Sequence, residues 1–237
     1  STCSIRAVSS AGLPSATAPP GSCRSCRDRI DESGHGVTVA RPPLGDERIP
    51  GYRRSMTDYE HLLVKQDGDT VRITMNRPQR RNSLTEDHLR ELLDAFESAG
   101  RSDATGIVLA GEGKAFSSGH DFGDVAARDL AGVRSLLRLC TTVMRTVQEV
   151  PQVVIARVHA TAWAAGCQLV ASCDLAVAAE SATFALPGGK GGWFCHTPAV
   201  PVARNIGRKR LMELALTGDP IDAATAPDWG LVNYAVP

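Results

Sequence analysis

Between Leu62 and Ala178 the spacing of apolar residues switches repeatedly between every second position and every third or fourth. That alternation limits the fold more than any other feature of the chain. Leu62, Val64 and Gln66 lead into an Asp67-Gly68-Asp69 turn, and Val71, Ile73 and Met75 then alternate with polar residues, which predicts a β-hairpin with one buried face. Asn76-Arg77-Pro78 ends its second strand. Thr85 is a good helix N-cap, with Glu86 and Asp87 in the first turn and Leu89, Leu92, Leu93 and Phe96 at helical spacing. Ile107 to Ala110 reads as a short buried strand closed by Gly111-Glu112-Gly113. A second long helix carries Val133, Leu136, Leu137, Cys140, Val143, Met144 and Val147 on one face and stops before Pro151. Val153 to Ala156 is the next strand, a helix around Gln168 follows, and Leu175 to Ala178 is another strand. Strands alternating with helices predict an α/β domain with a largely parallel sheet.

At 237 residues, 43% hydrophobic, the chain is long enough for one sizeable core. The formal net charge is zero, so no general electrostatic attraction to nucleic acid or an acidic membrane surface is expected. No apolar run reaches the ~18 residues of a membrane-spanning helix. The seven cysteines, an odd number scattered through apolar segments, fit reduced buried thiols better than a disulfide framework. They point to a reducing compartment, the cytoplasm or alternatively the mitochondrial matrix. Cys23-x-x-Cys26 with His35 is half of a zinc pattern, but no second pair follows at finger spacing, so no metal is expected.

Residues 1–55 are rich in Ser, Pro, Gly, Arg and Ala, and Pro14, Pro19, Pro20, Pro42, Pro43 and Pro50 interrupt any regular element. They read as a disordered N-terminal extension or a start-site artefact, with Met56 a natural start. The arginines favour a targeting segment instead, whereas Asp28, Asp31, Glu32, Asp46 and Glu47 count against one. Residues 56–237 form the expected folded domain.

Ala164-Ala165-Gly166-Cys167-Gln168-Leu169-Val170-Ala171-Ser172-Cys173-Asp174 places small residues ahead of an apolar helix. Such a start suits a backbone that approaches a ligand closely and offers it N–H groups. Together with Asn76-Arg77-Pro78, Asn82-Ser83-Leu84, Lys114 to Phe122, Phe184-Ala185-Leu186-Pro187, Leu216-Thr217-Gly218 and Trp229-Gly230-Leu231-Val232, the run resembles the crotonase (enoyl-CoA hydratase/isomerase) superfamily. The Gln168 run, with Phe194-Cys195-His196-Thr197-Pro198 downstream, is most similar to the branch called enoyl-CoA hydratase domain-containing protein 3.

The resemblance implies a crotonase (ClpP-like) fold of repeated ββα units acting on coenzyme A thioesters in fatty acid metabolism, with no permanently bound cofactor and a homo-oligomer, trimer or hexamer. It also implies helices beyond the Gly-Leu-Val segment, so the C-terminal helical part reads as truncated at Pro237. By residue matching, the main-chain N–H groups of His120 and Ala165 would hold the thioester oxygen and stabilise an enolate. Arg80, Arg81 and Ser83, with Ser118 and Asp121, are the coenzyme-binding candidates, the two guanidinium groups suiting phosphate oxygens. Asp121 also matches a position that orders its loop, and Asp174 is expected to fix the turn into the next strand.

The hydratases of the family use two glutamates. Here the first position is Gln168, and the second, directly after Pro187, is Gly188. Neither can trade a proton near neutral pH, so efficient hydration by that route is not expected. Three readings follow: an enzyme of the hydratase/isomerase class, lyase by family; a non-catalytic acyl-CoA-binding or regulatory protein; or an isomerase or thioester hydrolase using His196 as base. His196 also reads as a helix-capping or carbonyl-bonded imidazole, and Cys195 as a nucleophile only if its pKa is lowered.

Overall fold

The computed structural model describes residues 59–237. The expectations for residues 1–55, including the Cys23 and Cys26 pair, lie outside the described residues. The predicted hairpin is β1 (Leu62–Asp67) and β2 (Thr70–Met75), paired antiparallel with Asp67 opposite Thr70. Gly68 supplies the positive φ of its turn, +57°. A short 3-10 turn at Pro78–Arg80 leads to α1 (Glu86–Gly100), and the Thr85 side chain accepts the His88 N–H as the expected cap.

From β3 onward the chain repeats one device, sending each long strand to a large sheet and the following short strand to a small one. β3 (Gly106–Gly111) precedes β4 (Ala115–Ser117), then the short α2 (Phe122–Ala126) and long α3 (Leu130–Glu149). β5 (Val153–Val158) precedes β6 (Thr161–Trp163) and α4 (Ala165–Ser172). β7 (Leu175–Ala179) precedes β8 (Thr183–Ala185), a 3-10 turn at Pro187–Gly191, and α5 (His196–Asn205). α6 (Arg208–Thr217), β9 (Ile221–Asp222), α7 (Thr225–Trp229) and β10 (Tyr234–Val236) complete the order.

The large sheet runs β1-β2-β3-β5-β7-β10 and is parallel from β2 on; the small sheet runs β4-β6-β8-β9. β4, β6 and β8 pair in parallel, so their C-terminal ends lie side by side. Those ends deliver the oxyanion-loop candidates, the start of α4 and the Pro187 turn to one neighbourhood.

The core fills the space between the large sheet and the helices. Val71, Ile73, Ile107, Leu109, Val154 and Ala156 face Leu89, Leu92, Phe96, Val143 and Val147, all of them buried. Full burial of each large side chain contributes ~1.5–3 kcal/mol against the entropy of ordering the chain. Asp174 ties β7 to β5: its Oδ2 accepts the Val154 N–H at 2.9 Å, and its own N–H donates to the Val154 carbonyl at 2.9 Å. This is the turn-fixing role expected of it. Among the described residues no helix is long and apolar enough to cross a membrane.

Candidate active site

β4 ends in a loop whose hydrogen bonds determine where each backbone N–H points. The Leu84 N–H donates to the Gly119 carbonyl at 2.8 Å, and the Asp121 N–H donates to the Leu84 carbonyl at 3.2 Å. This parallel bridge uses the groups on either side of His120 and leaves the His120 N–H on the opposite side, without an acceptor among the described residues. Ser117 stiffens the same loop, its Oγ donating to the Asn82 carbonyl at 2.9 Å and accepting the Gly119 N–H at 3.3 Å.

The loop lies directly against the start of α4. Gly119 has φ +91°, and a Cβ built there would stand 2.8 Å from the Ala164 Cβ and 3.0 Å from the Ala165 nitrogen. Only glycine satisfies both the conformation and the approach. Gly166 is equally confined, since a Cβ there would fall 2.3 Å from the Ser117 carbonyl oxygen. Ala164 has φ +49° and ψ −120°, a sparsely populated conformation for a non-glycine residue, and its N–H is held by the Ala185 carbonyl at 2.9 Å. The turn leaves Ala165 as the first residue of α4, where its N–H has no partner within the helix and no acceptor among the described residues. Two free N–H groups, of His120 and Ala165, thus flank the Gly119 contact at the positive end of a helix.

Gln168 lies one turn further along α4. It is 4% exposed, and its Oε1 is sealed from solvent with no hydrogen-bond partner among the described residues. Gly188, the second position that the resemblance matches to a glutamate, differs in kind. The Trp193 N–H donates to the Gly188 carbonyl at 2.8 Å, and a Cβ on Gly188 would stand 1.8 Å from the Trp193 carbonyl oxygen and 2.8 Å from the Cys195 Sγ. The loop backbone occupies the space a side chain at 188 would need.

The remaining sequence candidates separate into distinct groups. Asp121 caps α2, its Oδ1 accepting the N–H groups of Gly123 and Asp124 at 3.0 and 3.3 Å. Its Oδ2 accepts the Ser83 hydroxyl at 2.8 Å and faces Arg80 at 3.4 Å. The Ser83 bond leads the influences that hold the Asp121 carboxyl below its ordinary pKa, joined by the α2 N–H groups and the Arg80 charge. Ser83 and Asp121 are therefore engaged with each other inside the fold. Arg80, with 59% of its side chain exposed, and the exposed Arg81 remain open to solvent. Ser118 follows β4, its N–H donating to the Arg81 carbonyl at 3.0 Å.

His196 opens α5 at an exposed position, its Nδ1 3.3 Å from the Phe194 carbonyl oxygen, the backbone-bonded arrangement. Cys195 beside it is buried, and burial raises its thiol pKa, opposite to what a nucleophile needs. The His120 ring is a separate matter from its N–H. Both ring nitrogens are sealed from solvent, and burial lowers the pKa against opposing contributions from the Leu84 carbonyl and Asp124.

Two structural determinants were not singled out from the sequence. Gly119 could have been flagged as the only small residue between two candidates, Ser118 and His120. Asn82 is buried with φ +50°; its Oδ1 accepts the Arg77 N–H at 2.8 Å, and its Nδ2 donates to the carbonyls of Glu112 and Ala115 at 2.9 and 2.8 Å. It anchors the Arg77–Leu84 segment on which the candidate oxyanion loop is bridged. No group of His, Cys, Asp and Glu able to hold a metal ion occurs among the described residues.

A family profile described as enoyl-CoA hydratase/isomerase matches residues 66–237. Among curated proteins, the mitochondrial enoyl-CoA hydratase domain-containing protein 3 of Mus musculus is 41% identical over 82% of this chain and 63% of its own length. The Danio rerio protein of the same name is 40% identical over 72% of this chain and 60% of its own. The chain thus spans about three fifths of the length of these two relatives. Among solved structures, an enoyl-CoA hydratase from Mycobacterium smegmatis superposes with a TM-score of 0.73 at 45% identity, covering 74% of this chain and 70% of that one. The fold, the ordered motifs and these matches lead to one assignment: the chain belongs to the enoyl-CoA hydratase/isomerase family.

Proposed function

We propose that this protein binds an acyl-CoA thioester and polarises its carbonyl between the main-chain N–H groups of His120 and Ala165. The observation that carries the reading is the pair of unpaired N–H donors on either side of Gly119. Preorganised donors of this kind stabilise charge that develops on the thioester oxygen as an enolate forms, and the start of α4 adds its dipole. Arg80 and Arg81 are the exposed cations for the coenzyme phosphates. The compartment named for the Mus musculus and Danio rerio relatives supports a mitochondrial location, the second of the two read from the cysteines. Assembly into a trimer or hexamer, and a place in fatty acid metabolism, rest on family membership.

Hydration through two carboxylates is not part of this proposal. Gln168 has no proton to exchange, and the space at Gly188 is filled by the Trp193 carbonyl. The same observations favour a second reading, a protein that binds and polarises acyl-CoA without turning it over. In the isomerase or thioester hydrolase alternative, His196 would act through Nε2, its Nδ1 lying 3.3 Å from the Phe194 carbonyl oxygen.

The test is difference infrared spectroscopy of a thioester isotopically labelled at its carbonyl. On binding, the carbonyl stretch should move to lower frequency. In Ala165→Pro, which removes one N–H at a helix position that tolerates proline, the shift should shrink and affinity fall about tenfold. A bound thioester that keeps its solution frequency in the wild type would overturn the reading.

A further inference from the structure

The segment that carries His120 is tied along its length to the segment that opens α1. The Gly119 carbonyl and the His120 N–H belong to one trans peptide unit and point in opposite directions. The Leu84 N–H that holds this carbonyl at 2.8 Å therefore also aims the His120 N–H. Two residues beyond Leu84, the Glu86 N–H donates to the Asp124 Oδ2 at 3.0 Å. Leu84 and Glu86 thus grip the loop at Gly119, Asp121 and Asp124, on both sides of His120.

The far end of this grip depends on polar ties, because α2 has little apolar packing to hold it. Of its five residues only Val125 is buried, and Phe122 is 74% exposed. Arg128, in the link between α2 and α3, closes the tie. Its Nε and Nη2 donate to the Asp124 Oδ1 at 3.1 and 2.7 Å, and its Nη1 lies 2.7 Å from the Glu86 Oε2. One guanidinium clasps a carboxylate of α2 and a carboxylate of α1 at once, a task suited to its planar fork of donors. The side chains of Arg128, Asp124 and Glu86 are 21%, 20% and 27% exposed, so solvent screens the clasp only in part. The Asp124 bond leads the influences that raise the Arg128 pKa, with burial opposing and Glu86 adding to it. Without Arg128, Asp124 would lose its paired cation and stand beside the Glu86 carboxylate, a repulsion that drives α2 away from α1.

We infer that Arg128 is a positioning residue for the acyl-CoA site: through Asp124 and Glu86 it holds α2 against α1 and keeps the His120 N–H aimed at the thioester oxygen. The inference rests on the acyl-CoA reading above. Arg128 acts through these two carboxylates, and no bond is made or broken.

The experiment is calorimetric titration of the full chain with butyryl-CoA and with butyl-CoA, a thioether of the same length that lacks the carbonyl oxygen. The wild type should bind the thioester about tenfold more tightly, because only the thioester has an oxygen for the two N–H groups. In Arg128→Met this advantage should fall to about threefold, the share of Ala165 alone, while thioether affinity stays within about twofold. General loosening of the fold would weaken both ligands together and leave their ratio unmoved. Arg90→Met, which removes the other guanidinium on Glu86 and spares the clasp, should keep the full advantage. Arg128→Gln serves if the methionine variant does not fold, with the same expectation. An undiminished advantage in Arg128→Met, or an equal loss in Arg90→Met, overturns this inference and leaves acyl-CoA binding standing. Absence of any thioester advantage in the wild type overturns both.

Discussion

His88 gives the sharpest quantitative prediction. The ring is completely buried in α1, and its Nδ1 lies 3.1 Å from the Ser83 carbonyl oxygen. A carbonyl only accepts, so Nδ1 carries the hydrogen and Nε2 is left as a buried, unpartnered lone pair. Burial, with further opposition from His61 and Arg77, pulls the pKa from 6.5 to about 3, against the raising effect of the Ser83 bond. The sign follows from proton uptake. Below pH 6.5 the unfolded chain binds a proton that the folded chain refuses, so stability is lost as pH falls from the unfolded value toward the folded one. Between pH 7.5 and pH 5 this one residue should cost about 2 kcal/mol, and because pH 5 lies well above the folded pKa, the unfolded histidine alone sets that magnitude. The assay is urea unfolding at both pH values for wild type and His88→Leu, with His88→Gln as a second variant. The leucine protein loses the Ser83 bond and is less stable at pH 7.5, but its stability should fall about 2 kcal/mol less on acidification, while His120 contributes equally to both and cancels. Parallel pH dependence in the two proteins would refute the reasoning.

Asp121→Ala should cost about 1–2 kcal/mol by removing the α2 cap and the acceptor of the Ser83 hydroxyl, seen as a lower urea midpoint with unchanged slope. Gly188→Ala forces the loop backbone aside, at about 1–3 kcal/mol, and should speed tryptic cleavage after Lys190, whose ammonium is paired with Asp219 in the native loop. Cys140, Cys167 and Cys195 have thiol pKa values raised by burial, to about 12 for the first two, so alkylation at pH 7.5 should be slow in the native protein and rapid in urea, as read residue by residue by mass spectrometry. Gln168→Glu should not produce rapid hydration of crotonyl-CoA; a rate within tenfold of a two-carboxylate hydratase would show that one carboxylate suffices.

The elements legible in the sequence are those long enough to express a period. β1, β2, β3, β5 and β7, with α1 and α3, show their buried faces as alternation or helical spacing. β4, β6 and β8 have three residues each, too few for a pattern, so the whole small sheet was invisible although it positions the site. The proposed donors His120 and Ala165 come from motif order. The reason they can stand together, a glycine at φ +91° against the Ala164 turn, is a tertiary contact between segments more than forty positions apart. Ser83 and Asp121 are coenzyme-binding candidates by sequence, and Asp121 also matches a position that orders its loop. Their mutual bond depends on a spatial approach that no local spacing reveals.

On the acyl-CoA reading proposed above, Gln168 and Gly188 stand where the hydratases keep two glutamates, and the two positions differ physically. Glutamine at 168 keeps the shape of a glutamate while carrying no charge, and it is buried. At 188 there is neither a side chain nor room for one, because the Trp193 carbonyl would lie 1.8 Å from its Cβ. A carboxylate buried at 168 would carry a desolvation penalty and would repel negative charge growing on a thioester oxygen at Ala165. The neutral amide does neither, leaving the two N–H groups and the α4 dipole to act on that oxygen unopposed. Such a site is suited to holding a polarised thioester, and any proton the chemistry requires must come from a group other than the two positions at which the hydratases keep theirs.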